Sequence, residues 1–126
     1  MKSKRNLSSF GDVLVNFLFS FAFFKACGVW EGKKVSNSIL AKSLTFSHIR
    51  KPSRSNRQML GNFVESFIAR AWVEGIVSTE DCVEVLSSHL LQEETESHAR
   101  AFGHLLDFIA ERCQYDKTAD PNPGHR

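Results

Sequence analysis

The stretch FGDVLVNFLFSFAFF, residues 10–24, is apolar on nearly every side of a helix, with Asp12 at its mouth and Asn16 inside it. A helix of that kind belongs either at the centre of a bundle or in a membrane. From Val13 to Trp30 the run approaches membrane length, but Asn16 and Lys25 interrupt it and a single span would leave the rest of the chain unexplained. The basic start MKSKRNLSS resembles the opening of a signal peptide, yet no convincing small-residue cleavage site follows the aromatic run. We read the central helix of a globular bundle and expect no membrane partner. Asp12 then has two readings, an acid of the first helical turn that satisfies backbone N–H groups, or a metal ligand.

The remainder of the chain supports a bundle. At 126 residues and 42% hydrophobic content it is long enough for one core and too short for two. Helical periodicity recurs along it and strand alternation does not, so the fold class expected is all-α. Ser36 is placed to cap a helix in VSNSILAKSL, with Val35 set to staple against Leu40. IRKPSRSNRQ, residues 49–58, is a polar and basic loop around Pro52. From about Arg57 to near Gly75, apolar residues at 60, 63, 64, 67, 68, 71 and 72 define an amphipathic helix. Ser78 and Asp81 form a capping-box pattern ahead of a helix through Val83, Leu86 and Leu90. Ala99, Phe102, Leu105, Leu106 and Ile109 mark the last helix. The domain expected is 1–114, and residues 115–126, without apolar anchors, read as a disordered tail.

The net charge of +2 conceals a strong asymmetry. Residues 1–57 carry eleven Lys/Arg against two Asp/Glu, whereas residues 58–126 carry five against twelve. Clustered basic side chains suit a polyanion, because binding to phosphates releases counterions. The plainer reading is that the halves neutralise one another across the fold or across a dimer. Cys27, Cys82 and Cys113 are odd in number and lack metal-site spacing, which argues against a disulfide framework or structural zinc and for a reducing, cytoplasmic setting. His89, His98 and His104 lack tight ligand spacing and read as surface or boundary residues, while Trp30 and Trp72 read as core or interface.

GNFVESFIARAWVEG, residues 61–75, holds the chemistry. Asn62 and Glu65 stand three apart on one side of the helix, adjoining the apolar stripe but outside it. Two oxygen donors at that spacing suit Mg²⁺, which takes one or two carboxylates and keeps waters that a phosphate can displace. The bland alternative is a solvated Asn and Glu at the edge of the stripe.

This segment resembles the second motif of ribonuclease III domains, in which an Asp-x-x-Glu pair precedes a small and apolar helix ending in an acid-glycine turn. SSFGDVLVNF is similar to the signature helix of that family, and VSNSILAKSL to its Val-Ser-Asn segment leading to Leu-Ala. The three motifs occur in the family's order over roughly residues 3–90. In length the chain is similar to the compact Mini-III-like or archaeal-type forms without a double-stranded-RNA-binding domain.

The resemblance implies a helix that starts around Ser3 to Leu7, with Ser8 and Asp12 on one face and Asp12 in mid-helix. It implies catalytic residues Asp12 and Glu65 and a metal set of Asp12, Glu65, Asn62 and Ser8. Asn62 stands where the family has an aspartate, and Ser8 and Arg5 where it usually has glutamates. The cofactor implied is Mg²⁺ or Mn²⁺, and the partners are double-stranded RNA and a second copy of the chain. Lys33, Lys34, Arg50, Lys51, Arg54 and Arg57 are the candidate RNA-binding residues. The activity expected is a metal-dependent endoribonuclease that hydrolyses duplex RNA. The alternative is a non-catalytic RNA-binding or ribonucleoprotein-associated protein on the same fold.

Overall fold

The computed structural model describes residues 7–90, 94–114 and 121. The tail expected over 115–126 lies, apart from Pro121, outside them, as does Arg5. Among the described residues the chain is all-α, as expected: α1 (Leu7–Cys27), α2 (Asn37–Ser43), a 3₁₀ turn (Leu44–Phe46), α3 (Arg57–Val73), α4 (Thr79–Ser88) and α5 (Thr95–Cys113). α1 packs on α3 and α4, α2 on α3 and α5, and α4 on α5.

Local chemistry sets these boundaries. The Ser36 hydroxyl accepts the Ile39 N–H and starts α2, and Asn56 accepts the Met59 N–H and starts α3. Ser78 and Asp81 close the reciprocal capping box of α4. That helix stops at Ser88, two residues short of expectation, yet Leu90 remains buried. Gln114 ends α5 in the left-handed region at φ +55°.

One apolar core joins all the elements, with Leu18, Phe19 and Phe23 of α1 meeting Leu40, Ile68, Leu86, Phe102 and Leu106 at its centre. α1 is long and apolar enough to cross a membrane by length and composition, and Leu14, Val15, Leu18, Phe19, Ala22 and Phe23 on one face of it are buried in the domain. The opposite face is not covered. Phe10, Val13, Phe17 and Phe21, spaced three and four apart, are 43%, 67%, 51% and 43% exposed. Trp30 is 83% exposed and stacks on Phe24 at 3.9 Å, so it is no core residue, whereas Trp72 is half-buried and donates to the Thr79 hydroxyl.

The two charge halves meet at Lys25 and Glu84, 3.1 Å apart between α1 and α4, and the His48 ring lies within hydrogen-bond reach of Asp107, at 2.8 Å. All three cysteines are free. His89 and His104 stack at 3.8 Å at the domain edge, and His98 sits against Phe19 and Phe23.

Candidate functional site

The site is built where α1 crosses α3, and glycine permits the crossing. A Cβ on Gly11 would lie 2.5 Å from the carbonyl oxygen of Glu65, so only hydrogen at that position lets the two helices approach. The neighbouring residue, Asp12, is thereby delivered beside Glu65. One turn earlier on α3, the side chain of Asn37 occupies the space that a side chain on Gly61 would need, which brings the start of α2 to the same place.

Ser8, Ser9, Asp12, Asn37, Asn62 and Glu65 line one open cleft of about 430 Å³. All four residues of the expected metal set are therefore together, although they come from two helices far apart in sequence. Asp12 is in mid-helix, as the resemblance implied, and the first-turn reading is set aside. Asn37 is the residue that sequence reasoning missed. Its signal was present in the Val-Ser-Asn segment, but nothing in that local pattern says that α2 begins against α3.

One expectation is corrected. Asn62 is exposed, but Glu65 is buried, with 5% of its surface accessible, so the pair does not sit together outside the apolar stripe. The close approach of α1 covers Glu65. Its Oε1 accepts a hydrogen bond from the Ser8 hydroxyl at 3.3 Å, and the Asp12 carboxyl lies within proton-sharing reach. Burial first, then proton sharing with Asp12 and the negative charge of Asp12, push the Glu65 carboxyl up to about 7 from its ordinary 4.5, while the Ser8 bond pulls the other way.

This shift fixes a sign. Between about 4.5 and 7 the folded protein keeps a proton on Glu65 that the unfolded chain has released, so the stabilisation is complete at acid pH and is lost as pH rises through about 7. We expect the metal-free protein to lose at most about 3 kcal/mol between pH 5 and pH 8 from this group. Thermal melts across that range check it: Glu65→Gln should flatten the dependence, and an unchanged slope would show that another group carries it.

The donors suit a hard cation. Two carboxylates, two amides and two hydroxyls present oxygen, and two close carboxylates gain most from a divalent charge between them. Among the described residues no group of three or more His, Cys, Asp or Glu gathers anywhere, so the candidate set rests on two acids completed by neutral oxygens.

The six candidate RNA-binding residues do not line the cleft. Lys33 is taken up by the fold, 3.1 Å from Glu31 and 4.2 Å above the Phe23 ring. Lys34, Arg50, Lys51, Arg54 and Arg57 are exposed or half-exposed. The loop that carries Arg50, Lys51 and Arg54 is pinned by buried Ile49 and Pro52, and its Arg54 has φ +56°. Arg57 opens α3, about 12 Å along the axis from Glu65 at the helical rise.

The fold and cleft together define a compact all-α domain whose first and third helices cross through glycine to form an oxygen-lined carboxylate cleft. A family model described as Ribonuclease III matches residues 5–115, and the chain belongs to the ribonuclease III family. The match runs beyond the motifs legible in the sequence to take in α5. No curated protein matches the chain. Membership ties it to RNA-related function, in a family whose enzymes generally use divalent metals.

Proposed function

We propose that this protein is a metal-dependent endoribonuclease that hydrolyses phosphodiester bonds of double-stranded RNA. The observation that carries the reading is the meeting of Asp12 and Glu65 in one cleft lined by oxygen donors. Mg²⁺ or Mn²⁺ would be held by Asp12 and Glu65, with Asn62 and the weaker donor Ser8 beside them. Bound there, it supplies Lewis acidity toward a phosphate and a water of lowered pKa.

The chain's own residues supply placement. Asp12 and Glu65 concentrate negative charge where the cation sits, and burial of Glu65 removes competing water from one side. Ser8 holds Glu65 through its hydroxyl. Lys34, Arg50, Lys51, Arg54 and Arg57, all accessible, hold the RNA backbone by its phosphates. Recognition follows the shape of the duplex, which offers phosphates and 2′-hydroxyls across a shallow minor groove. Three free cysteines suit work in the cytoplasm.

A second copy belongs in this reading. Phe10, Val13, Phe17 and Phe21 form an uncovered apolar stripe, continuous with a cavity of about 510 Å³ lined by Phe17, Phe21, Phe24 and Trp30. A two-fold dimer through α1 covers it and sets two clefts along one duplex. Light scattering at micromolar concentration should report the dimer mass; a monomer would count against it.

Duplex binding should weaken steeply with salt. Replacing Arg54 and Arg57 with alanine should lower the slope by about one log unit for each phosphate no longer held. The decisive experiment adds Mg²⁺ or Mn²⁺ to bound duplex and looks for shorter products with 5′-phosphate ends. The replacement of two usual acids by Ser8 and Asn62 favours the alternative, a non-catalytic RNA-binding or ribonucleoprotein-associated protein. Tight binding that leaves a range of duplexes whole with either metal would make that the better reading.

A further inference from the structure

Asn16 is a polar residue on a helix that otherwise favours apolar ones, and it is half-buried. Its amide bonds in two directions: Oδ1 accepts the Val35 N–H at 2.8 Å, and Nδ2 donates to Asp12 Oδ1 at 3.4 Å. The first bond determines the second. A backbone N–H can only be met by the amide oxygen, so the NH₂ group is left facing Asp12.

The same amide also holds the segment that leads to the other side of the cleft. Val35 precedes Ser36, which caps α2, and Asn37, which lines the cleft and rests on Gly61. Asn16 thus touches both the Asp12 carboxylate and the segment that delivers Asn37. One turn along α1, Ser20 makes a comparable attachment, accepting the Lys33 N–H at 2.7 Å, but it is not bonded to Asp12.

We propose that Asn16 is a positioning residue of the metal site, holding the Asp12 carboxylate toward the cleft while locking the start of α2 against it. The inference rests on the metal-site reading of Asp12 and Glu65. Partners of metal ligands fix carboxylate orientation, and their removal costs on the order of 10- to 100-fold in metal affinity.

Mn²⁺ binding to the RNA-free protein, followed by the electron paramagnetic resonance of free Mn²⁺, tests it without any activity assay. Asn16→Leu should weaken Mn²⁺ binding about 10-fold or more. Ser20→Ala, which removes a comparable attachment of the same linker, should leave binding close to that of the parent. Asn16→Ser, smaller and polar, serves if the leucine variant does not fold. Hydrogen exchange at Val35 N–H should quicken in both Asn16 variants and not in Ser20→Ala. Parent-like Mn²⁺ affinity in the folded Asn16 variants overturns the role of Asn16 alone, provided that Glu65→Gln weakens binding. Equal weakening by Ser20→Ala reduces Asn16 to general support of the linker and also overturns the proposal. A parent that binds no Mn²⁺, or a Glu65→Gln variant that binds it as tightly, removes the metal-site reading and this inference with it.

Discussion

Glutamine in place of Glu65 is expected to abolish cleavage of duplex RNA, by on the order of 10³-fold, the scale seen when one preorganised electrostatic group is removed from a transition state. The change keeps the shape of the side chain and removes the charge that a divalent cation needs. The basic grip is untouched, because Lys34, Arg50, Lys51, Arg54 and Arg57 do not line the cleft. Duplex affinity measured by filter binding should therefore be nearly that of the parent. A second signature separates loss of chemistry from loss of fold. Glu65 is buried against Asp12 and has its carboxyl pushed up to about 7, so the neutral side chain should make the metal-free protein more stable at pH 8 than the parent. A Glu65→Gln protein that cuts as well as the parent would place the chemistry elsewhere.

Alanine at Gly11 is expected to be the most damaging small substitution on α1. The added Cβ would lie 2.5 Å from the Glu65 carbonyl oxygen and 2.8 Å from its carbonyl carbon, and backbone on both sides leaves no flexible end to move aside. The helices must separate, at a cost of about 1–3 kcal/mol for forced overpacking. Separation also draws Asp12 from Glu65, so Mn²⁺ affinity should fall along with the unfolding midpoint in denaturant. Gly32→Ala is the control. Nothing lies within 4 Å of a Cβ there, and its stability should stay within about 0.5 kcal/mol of the parent, as for an ordinary surface change. A Gly11→Ala protein as stable as that control would contradict the close crossing on which the cleft depends.

Much of this was legible in the sequence because its causes are local. The caps at Ser36 and Ser78, the three-four spacing of α3 and α5 and the all-round apolarity of α1 act over one or two helical turns, and each appears in the structure. Asp12 and Glu65 could be singled out by their likeness to two family motifs. Their meeting could not be read from spacing, because it depends on helices that approach through Gly11.

The sequence by itself therefore determined the class of fold, the approximate place of the helices and the oxygen-bearing residue types available to a site. These follow from periodicity, capping and composition, which short-range forces enforce. Tertiary structure alone decided that Glu65 is buried rather than solvated, that Asn37 joins the cleft and that Lys33 serves the fold. Each of these depends on which surface a neighbouring helix happens to cover. Burial is a property of two elements at once, and no pattern within one of them contains it.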